Sequence, residues 1–239
     1  GLSSLLAFGW LAFHSPSWKR ALLAGWLFGV AHFTVTDNWI ATAFTYQAEM
    51  PAILGWAAVP LLALYLAVWP AFATCAAWLI ARRANLLAFA LAFGAMWIAA
   101  EWLRSWVFSG YSWGPFSMMM LGPWDRPGFA VLLPYAGSYA LSGITVALAV
   151  ALVWLGQAKR FVGIGLVCFV VALVYFPAGK GRDGSLPLTL VQPNLRPDEI
   201  DAASKFEEQF QRIAGLSRAE GAQSRRLVLR PESGTPHYL

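Results

Sequence analysis

The residue of this chain best placed for chemistry is Glu232, in the segment LVLRPESGTPHYL at 227–239. Leu227 to Leu229 form a short apolar run of strand length, which Pro231 ends because proline lacks the N–H that a sheet ladder needs. Glu232 then lies on a strand-to-loop corner, above a sheet edge, where α/β proteins commonly keep their chemistry. The alternative is an ordinary solvated loop residue.

The residues before this corner give it a context. The strand-like segment LPLTLVQPN occupies 186–194, and a long apolar region precedes it. Together with Arg230-Pro231-Glu232-Ser233, this order resembles the apolipoprotein N-acyltransferase family of the nitrilase-like (carbon–nitrogen hydrolase) superfamily. In that family a segment like VQPN opens the catalytic domain, and a W-P-E-[ST] segment carries the general base. The resemblance implies that Glu232 is that base.

The resemblance also implies a reaction. A cysteine thiolate takes the sn-1 acyl chain of a phospholipid as a thioester and passes it to the N-terminal amine of a diacylglyceryl-cysteine lipoprotein. Such a scheme needs a nucleophile, a base and a cation or N–H donors for the oxyanion. The family's Lys and Cys are expected beyond Leu239, since Cys75 and Cys168 lie inside apolar runs. We therefore expect the chain alone to be inactive, and we expect no metal and no cofactor.

Arg230 departs from the family pattern, which usually has Trp at this position. Residues i and i+2 of a strand share a face, so the guanidinium would favour the ionised form of Glu232 and make it a weaker base. A comparison of Arg230→Trp with the parent across pH tests this hypothesis, and identical profiles would contradict it.

Composition identifies a membrane protein. Hydrophobic residues make up 59% of the 239 residues and charged residues 12%, whereas soluble domains have about 25% charged residues. The net charge of +5 comes from small basic pairs between apolar runs. No basic stripe or aromatic-basic motif is present, so the pattern argues against nucleic-acid binding and for membrane topology.

Six apolar runs are predicted to span the bilayer as helices. They are Leu2 to Phe13, Ala21 to Tyr46, Ala52 to Ala81, Leu86 to Phe108, Gly128 to Leu155 and Phe161 to Phe176. The first is shorter than the roughly 20 residues that a span needs. We therefore expect residues before Gly1 that complete it.

Basic residues in alternate loops predict the orientation. The pairs Lys19-Arg20, Arg82-Arg83 and Lys159-Arg160 follow the first, third and fifth runs. The positive-inside rule places these loops in the cytoplasm, so the segment after Phe176 emerges on the opposite face. This agrees with the resemblance, which implies a bacterial inner-membrane protein whose soluble part is periplasmic.

A second motif lies in the connection EWLRSWVFSGYSWGPFSMMMLGPWDRP at 101–127. It resembles the family's segment E-[FW]-L-R-G-W-x-x-[ST]-G-[FY]-x-W, with Ser105 in place of the usual Gly. Glu101 and Arg104 are one helical turn apart and are predicted to pair. Glu101, Arg104, Trp106 and Trp113 are candidate lipid-substrate contacts. The alternative is an aromatic belt with a re-entrant or interfacial loop.

A change of composition predicts the domain boundary. Residues 1–177 form the membrane domain, the Gly-rich charged stretch 178–185 is a linker, and 186–239 begin a catalytic domain. A buried-type strand at Leu186 to Val191, an amphipathic helix at Asp198 to Glu220 and the strand at Leu227 predict a β-α-β unit. The predicted fold class is thus a polytopic α-helical membrane domain followed by the incomplete opening of a nitrilase-like α/β sandwich.

Two other functions fit the same residues. A transporter or scaffold with a periplasmic tail would show the same spans and loop charges, because these report topology and not activity. Another nitrilase-like membrane amidase or acyltransferase would share Glu232 and act on a different substrate.

Overall fold

The structure is a computed structural model that divides into two compact units. One contains residues 1–40 and 56–179, and the other contains residues 41–55 and 180–239. Across both units the described residues are 2–46, 51, 53–107, 111–123, 126, 128–174, 184–195, 202–218 and 226–231.

The chain up to residue 174 is helical. The helices are α1 Leu2–Phe13, α2 Trp18–Thr36, α3 Trp39–Ala43, α4 Ile53–Leu66, α5 Val68–Ala81, α6 Leu86–Trp106, α7 Leu133–Gln157 and α8 Phe161–Val174. Short 3-10 helices occur at Phe44–Tyr46, Phe116–Met120 and Phe129–Leu132. Side chains cap two starts: the Ser17 hydroxyl accepts from the N–H of Arg20 and the Asn85 carbonyl from the N–H of Ala88.

Three helical segments are long and apolar enough to cross a bilayer: Ile53–Ala81, Leu86–Trp106 and Phe129–Gln157. The described residues also contain two shorter apolar helices, Ser3–Phe13 and Phe161–Ala172. The chain is therefore a membrane protein with transmembrane helices, as predicted. The total of six spans stays a prediction.

The predicted single run from Ala52 to Ala81 is two helices, because α4 and α5 are separated at Ala67. Pro70 explains the break. Its ring has no N–H to bond the carbonyl four residues earlier, at Leu66, and clashes with that carbonyl.

Helices α2 and α5 pack closely through small residues. A Cβ added to Gly25 would lie 2.7 Å from the carbonyl oxygen of Pro70 and 2.8 Å from the Cα of Ala71. One turn further, a Cβ on Gly29 would lie 2.8 Å from the Cα of Ala67. Glycines four residues apart allow such approach of two backbones in membrane helices.

Aromatic rings fill the core of the helical unit. Phe8 stacks on Phe28 with ring centroids 4.0 Å apart, and the edge of Phe116 meets Trp97 at 4.9 Å. Phe116 is 2% exposed although it lies in a connection between helices. The connection after α6 is therefore packed into the helical unit.

The second unit contains a parallel pair of strands, β1 Leu188–Leu190 and β2 Leu227–Leu229. Leu188 faces Leu227 in the register, and the N–H of Val191 bonds the Leu229 carbonyl at 2.9 Å. A parallel pair needs a crossover connection, and helix α9, Phe206–Leu216, lies between the strands in sequence. The β-α-β order is thus observed, while the full sandwich stays a prediction.

Two sequence predictions for this unit are corrected. The helix predicted at Asp198 to Glu220 is shorter: α9 begins at Phe206, after a 3-10 turn at Ala203–Lys205, and residues 198–201 and 219–220 lie outside the described residues.

The strand predicted as buried is exposed at Leu188 (54%) and Leu190 (70%). Of the predicted apolar stripe of α9, Ile213 is buried whereas Phe210 and Leu216 are exposed. Among the described residues, no second layer covers these faces.

Candidate functional site

A buried carboxylate near the end of α6 is the centre of a polar cluster. Glu101 is 2% exposed. Its Oε1 accepts the indole N–H of Trp97 at 3.0 Å and the backbone N–H of Phe116 at 3.1 Å. Trp97 is one turn earlier on the same helix, whereas Phe116 lies in the following connection. The carboxylate therefore ties that connection to the end of α6.

Arg104 lies beside Glu101 and is equally buried. Its Nη2 is 3.9 Å from Oε1 of Glu101, so the predicted pairing is confirmed. Its guanidinium also lies over the ring of Phe33 on α2, 4.9 Å from the ring centroid. A cation over an aromatic face is stabilised by the ring quadrupole, more so when it is desolvated.

Asp37 adds a second carboxylate from α2. It follows the last residue of that helix, with its backbone N–H on the carbonyl of Phe33 at 2.9 Å, and it is 4% exposed. It interacts electrostatically with Arg104. The cluster thus combines two acidic groups and one basic group from the outgoing ends of two helices.

Several atoms of these three side chains have unused hydrogen-bonding capacity. Within the described part of the chain, Oδ2 of Asp37, Oε2 of Glu101 and both Nε and Nη2 of Arg104 are buried without a hydrogen-bond partner. Such groups are costly to bury unless a polar partner satisfies them. The cluster can therefore accept further polar groups.

Serine residues connect the same region to α7. The hydroxyl of Ser142, on α7, accepts the backbone N–H of Ser117 at 2.9 Å. Both serines are buried, at 0% and 3% exposure. The consecutive residues Phe116 and Ser117 of one connection thus join α6 and α7.

His32 holds the beginning of this connection. Its Nε2–H donates to the carbonyl of Gly114 at 3.1 Å, and its ring stacks on Phe116 at 4.4 Å. Gly114 has φ +44°, and a Cβ there would lie 3.1 Å from Oγ1 of Thr36. A residue with a side chain would be strained at this φ. His32 therefore occupies a packed position on α2, against this connection.

The predicted site residues occupy different environments. Glu101 and Arg104 lie together in the cluster, and Trp113 packs on the neighbouring group of Phe33, Ala63 and Leu66. Trp106 is separate: it is 70% exposed and contacts Trp102, with centroids 5.5 Å apart. Glu232 lies outside the described residues, three positions after the end of β2.

The sequence did not single out Phe116, Ser117 and Ser142 as parts of a site. Ser142 lies in an apolar run and Phe116 in an aromatic-rich connection, so neither has a local signal. Asp37 did have a local sequence signal, because an ionisable residue at membrane level is often functional.

The cluster can bind and position polar groups. The hydroxyl of Ser142 accepts the backbone N–H of Ser117 and also interacts with the Glu101 carboxylate, while His32 donates to a backbone carbonyl. No group of three potential metal ligands occurs among the residues that the structure describes.

Comparison with known families places these observations in context. The family model for the apolipoprotein N-acyltransferase N-terminal domain matches residues 2–151. This range contains all the helices from α1 to α6, the whole polar cluster and most of α7.

Individual relatives match over almost the whole chain. Apolipoprotein N-acyltransferases from Chromobacterium violaceum and Methylococcus capsulatus are each 27% identical to it, over 92% and 94% of this chain respectively. The protein of that name from Brucella melitensis biotype 1 is 31% identical over 92% of this chain. The chain spans 43% to 44% of the length of these relatives. It belongs to the apolipoprotein N-acyltransferase family.

Proposed function

We propose that this chain supplies the membrane part and the beginning of the catalytic part of a lipoprotein N-acyltransferase. The observation that carries the proposal is the family match over residues 2–151, together with relatives of this name that align over 92% and 94% of the chain. Lipoprotein N-acylation is the activity that the names of these relatives indicate.

In the proposed reaction, a cysteine thiolate attacks the sn-1 ester carbonyl of a phospholipid. A thioester forms and the lysophospholipid leaves. The N-terminal amine of a diacylglyceryl-cysteine lipoprotein then attacks the thioester, which forms an amide and regenerates the thiol. Glu232 takes the proton from the thiol and gives it to the lysophospholipid oxygen as that oxygen leaves. It then takes a proton from the attacking amine and returns it to the departing thiolate. The thiol and a lysine for the oxyanion belong beyond Leu239.

The strand pair supports this role for Glu232. The carboxyl ends of parallel strands meet at one edge of a sheet, where α/β proteins bind ligands. β1 leads into Gln192-Pro193-Asn194 and β2 leads into Arg230-Pro231-Glu232, so both family segments follow the same ends of paired strands. Asn194, four residues after the end of β1, has φ +51°, the left-handed conformation found in turns.

The polar cluster supports a positioning role for Glu101 and Arg104. They hold the connection at 111–121, which contains Tyr111 and Trp113 of the second motif, against the helix ends. Basic pairs lie at the opposite ends of α2 and α6, which supports a periplasmic position for the cluster under the positive-inside rule. A lipid substrate enters the enzyme from that level of the membrane.

Transfer of a labelled acyl chain tests the proposal directly. The full-length protein that contains this sequence is reconstituted with a phospholipid labelled at sn-1 and a diacylglyceryl-cysteine peptide. Mass spectrometry is expected to show a labelled amide on the peptide and an unlabelled lysophospholipid. With the label at sn-2, the peptide should stay unlabelled.

The same assay separates the alternative functions. A transporter or scaffold would leave the peptide unchanged, and a membrane amidase would hydrolyse amides without acylating the amine. The 239-residue chain alone is expected to form no amide. Either alternative product pattern from the full-length protein would contradict the proposal.

A further inference from the structure

An apolar groove runs between α2 and α5 at the ends of these helices that carry basic residues. Its volume is ≈ 690 Å³, about twice the ≈ 340 Å³ of the groove beside His32. The larger value is within the range of about 300–1,000 Å³ that is usual for ligand sites. Its side chains include Leu23, Phe72 and Leu79, which are 52%, 59% and 51% exposed.

Two helical stripes form the walls. On α2, Lys19 is followed by Leu22, Leu23 and Trp26, which lie three, four and seven residues further along. On α5, Val68, Phe72, Cys75 and Leu79 follow one another at the same kind of spacing. This spacing places each series on one helix face. From Val68 to Leu79 the wall rises about 16 Å, which is close to half of the ~30 Å hydrocarbon thickness.

The end of the groove at Lys19, called the upper end below, carries positive charge. Lys19 borders the groove, with Nζ 5.7 Å from the centroid of the exposed Trp18 ring. On the other wall, α5 ends at Ala81, and Arg82 and Arg83 follow it directly, within four residues of Leu79. The two connections are at the same end, because the indole N–H of Trp78 bonds the carbonyl of Ser15 at 2.9 Å.

The two basic stretches themselves contain no acidic residue. The stretches HSPSWKRALL at 14–23 and WLIARRANLL at 78–87 contain four Lys or Arg residues and no Asp or Glu. The lower end of the groove is closed by Trp26, whose indole N–H bonds the carbonyl of Leu64 at 3.2 Å. The groove thus offers an apolar wall one leaflet deep and a cationic rim.

We propose that this groove binds one anionic phospholipid, with its phosphate at Lys19 and an acyl chain along the α2–α5 wall. Charge complementarity selects the headgroup, since each basic residue near a bilayer surface attracts anionic lipid. The groove is distinct from the polar cluster. Lys19 and Asp37 lie at opposite ends of α2, about 27 Å apart along its axis.

Lipid binding by the full-length protein tests this site. The protein is delipidated in a neutral detergent, and native mass spectrometry measures its affinity for phosphatidylglycerol and for phosphatidylethanolamine with the same acyl chains. We expect one phosphatidylglycerol to bind about fivefold or more tightly than phosphatidylethanolamine. Equal affinities for the two lipids would overturn the proposal.

Variants locate the binding. Lys19→Gln is expected to remove most of the preference for phosphatidylglycerol, whereas Lys159→Gln, at a basic pair outside the groove, should keep it. Leu23→Trp fills the groove and should weaken binding of both lipids severalfold. If the lipid-free Lys19→Gln variant unfolds at a lower temperature than the parent, Lys19→Arg is tested in its place. Lys19→Arg keeps the positive charge and should therefore retain the preference for phosphatidylglycerol. Equal losses from Lys19→Gln and Lys159→Gln, or unchanged binding to Leu23→Trp, would contradict the site.

Discussion

At the scale of single residues, Glu101 contacts three other residues through one oxygen atom. Oε1 accepts from Trp97 and Phe116 and lies 3.9 Å from Nη2 of Arg104. A carboxylate in this position can neutralise a buried guanidinium and satisfy two N–H groups together. It costs free energy to bury, and removal of either charge would leave the other without its partner.

Replacement of Glu101 by Ala is expected to destabilise the helical unit. Loss of one member of a buried ion pair costs about 3–5 kcal/mol, and the N–H groups of Trp97 and Phe116 would also lose their acceptor. Glu101→Gln should cost less, since its amide oxygen can still accept from both. The unfolding temperature in detergent measures the effect.

Ser105→Ala is the matched control for this prediction. Ser105 lies on the same turn of α6, and its hydroxyl bonds only the carbonyl of Trp102 among the described contacts. We expect a change within about 0.5 kcal/mol, as for most exposed positions. Equal unfolding temperatures for Glu101→Ala and Ser105→Ala would contradict the structural role of the carboxylate.

At the scale of elements, close helix packing organises the unit. α2 approaches α5 so closely that a single methyl group at Gly25 would overlap the backbone at Pro70 and Ala71. Backbone atoms cannot move aside as the end of a side chain can. The spacing between the two helices therefore depends on glycine, and it also sets the width of the lipid groove.

Gly25→Ala is expected to destabilise the protein by about 1–3 kcal/mol, the usual cost of overpacking. Gly156→Ala is the matched control, because a Cβ there meets no atom within 4 Å. That change should instead stabilise α7 by up to about 1 kcal/mol, since alanine favours helix. Thermal unfolding in detergent measures both, and a neutral or stabilising Gly25→Ala would contradict the close approach.

Much of this element structure could be predicted from local sequence. The strand at Leu227–Leu229 was predicted at its observed bounds, and α6 was predicted to begin at Leu86 where Asn85 caps it. The interruption at Ala67 was missed because a hydropathy run does not register the hydrogen bond that Pro70 removes. The helical sequence pattern predicted from Asp198 runs across the 3-10 turn at Ala203–Lys205. The pattern alone therefore did not show that α9 begins only at Phe206.

The site was predictable only where its partners are neighbours in sequence. Glu101 and Arg104 are three residues apart, so helical geometry alone predicted their contact. The link to Phe116 spans 15 residues, and that between Ser117 and Ser142 spans 25. These contacts depend on how the connection folds back on the helices, which no local pattern reports.

At the scale of the whole molecule, the basic pairs and the tail are proposed to lie on opposite sides of the membrane. Each pair has a cation near a tryptophan ring: Lys19 at Trp18, Arg82 at Trp78 and Arg160 at Trp154. Tryptophan and basic residues both favour the membrane interface. This arrangement supports a position at the membrane interface for all three pairs.

Single-cysteine labelling tests this orientation in cells. Cys75 and Cys168 are replaced, and a cysteine is introduced either at exposed Gln211 on α9 or at exposed Ala84 beside a basic pair. An impermeant maleimide, given access to the periplasm, is expected to label Gln211→Cys before lysis and Ala84→Cys only after it. The reverse pattern would place the tail in the cytoplasm.

The most direct test of the account as a whole is the rate of acyl transfer to the lipoprotein amine by the full-length Glu232→Gln variant. Loss of a general base lowers the rate about 10²–10⁴-fold, and we expect a loss in this range with normal amounts of protein in the membrane. Glu208→Gln, at an exposed position on α9 in the same unit, should retain the parent rate. A Glu232→Gln rate close to that of the parent, or equal losses in both variants, would contradict the assignment of Glu232 as the base.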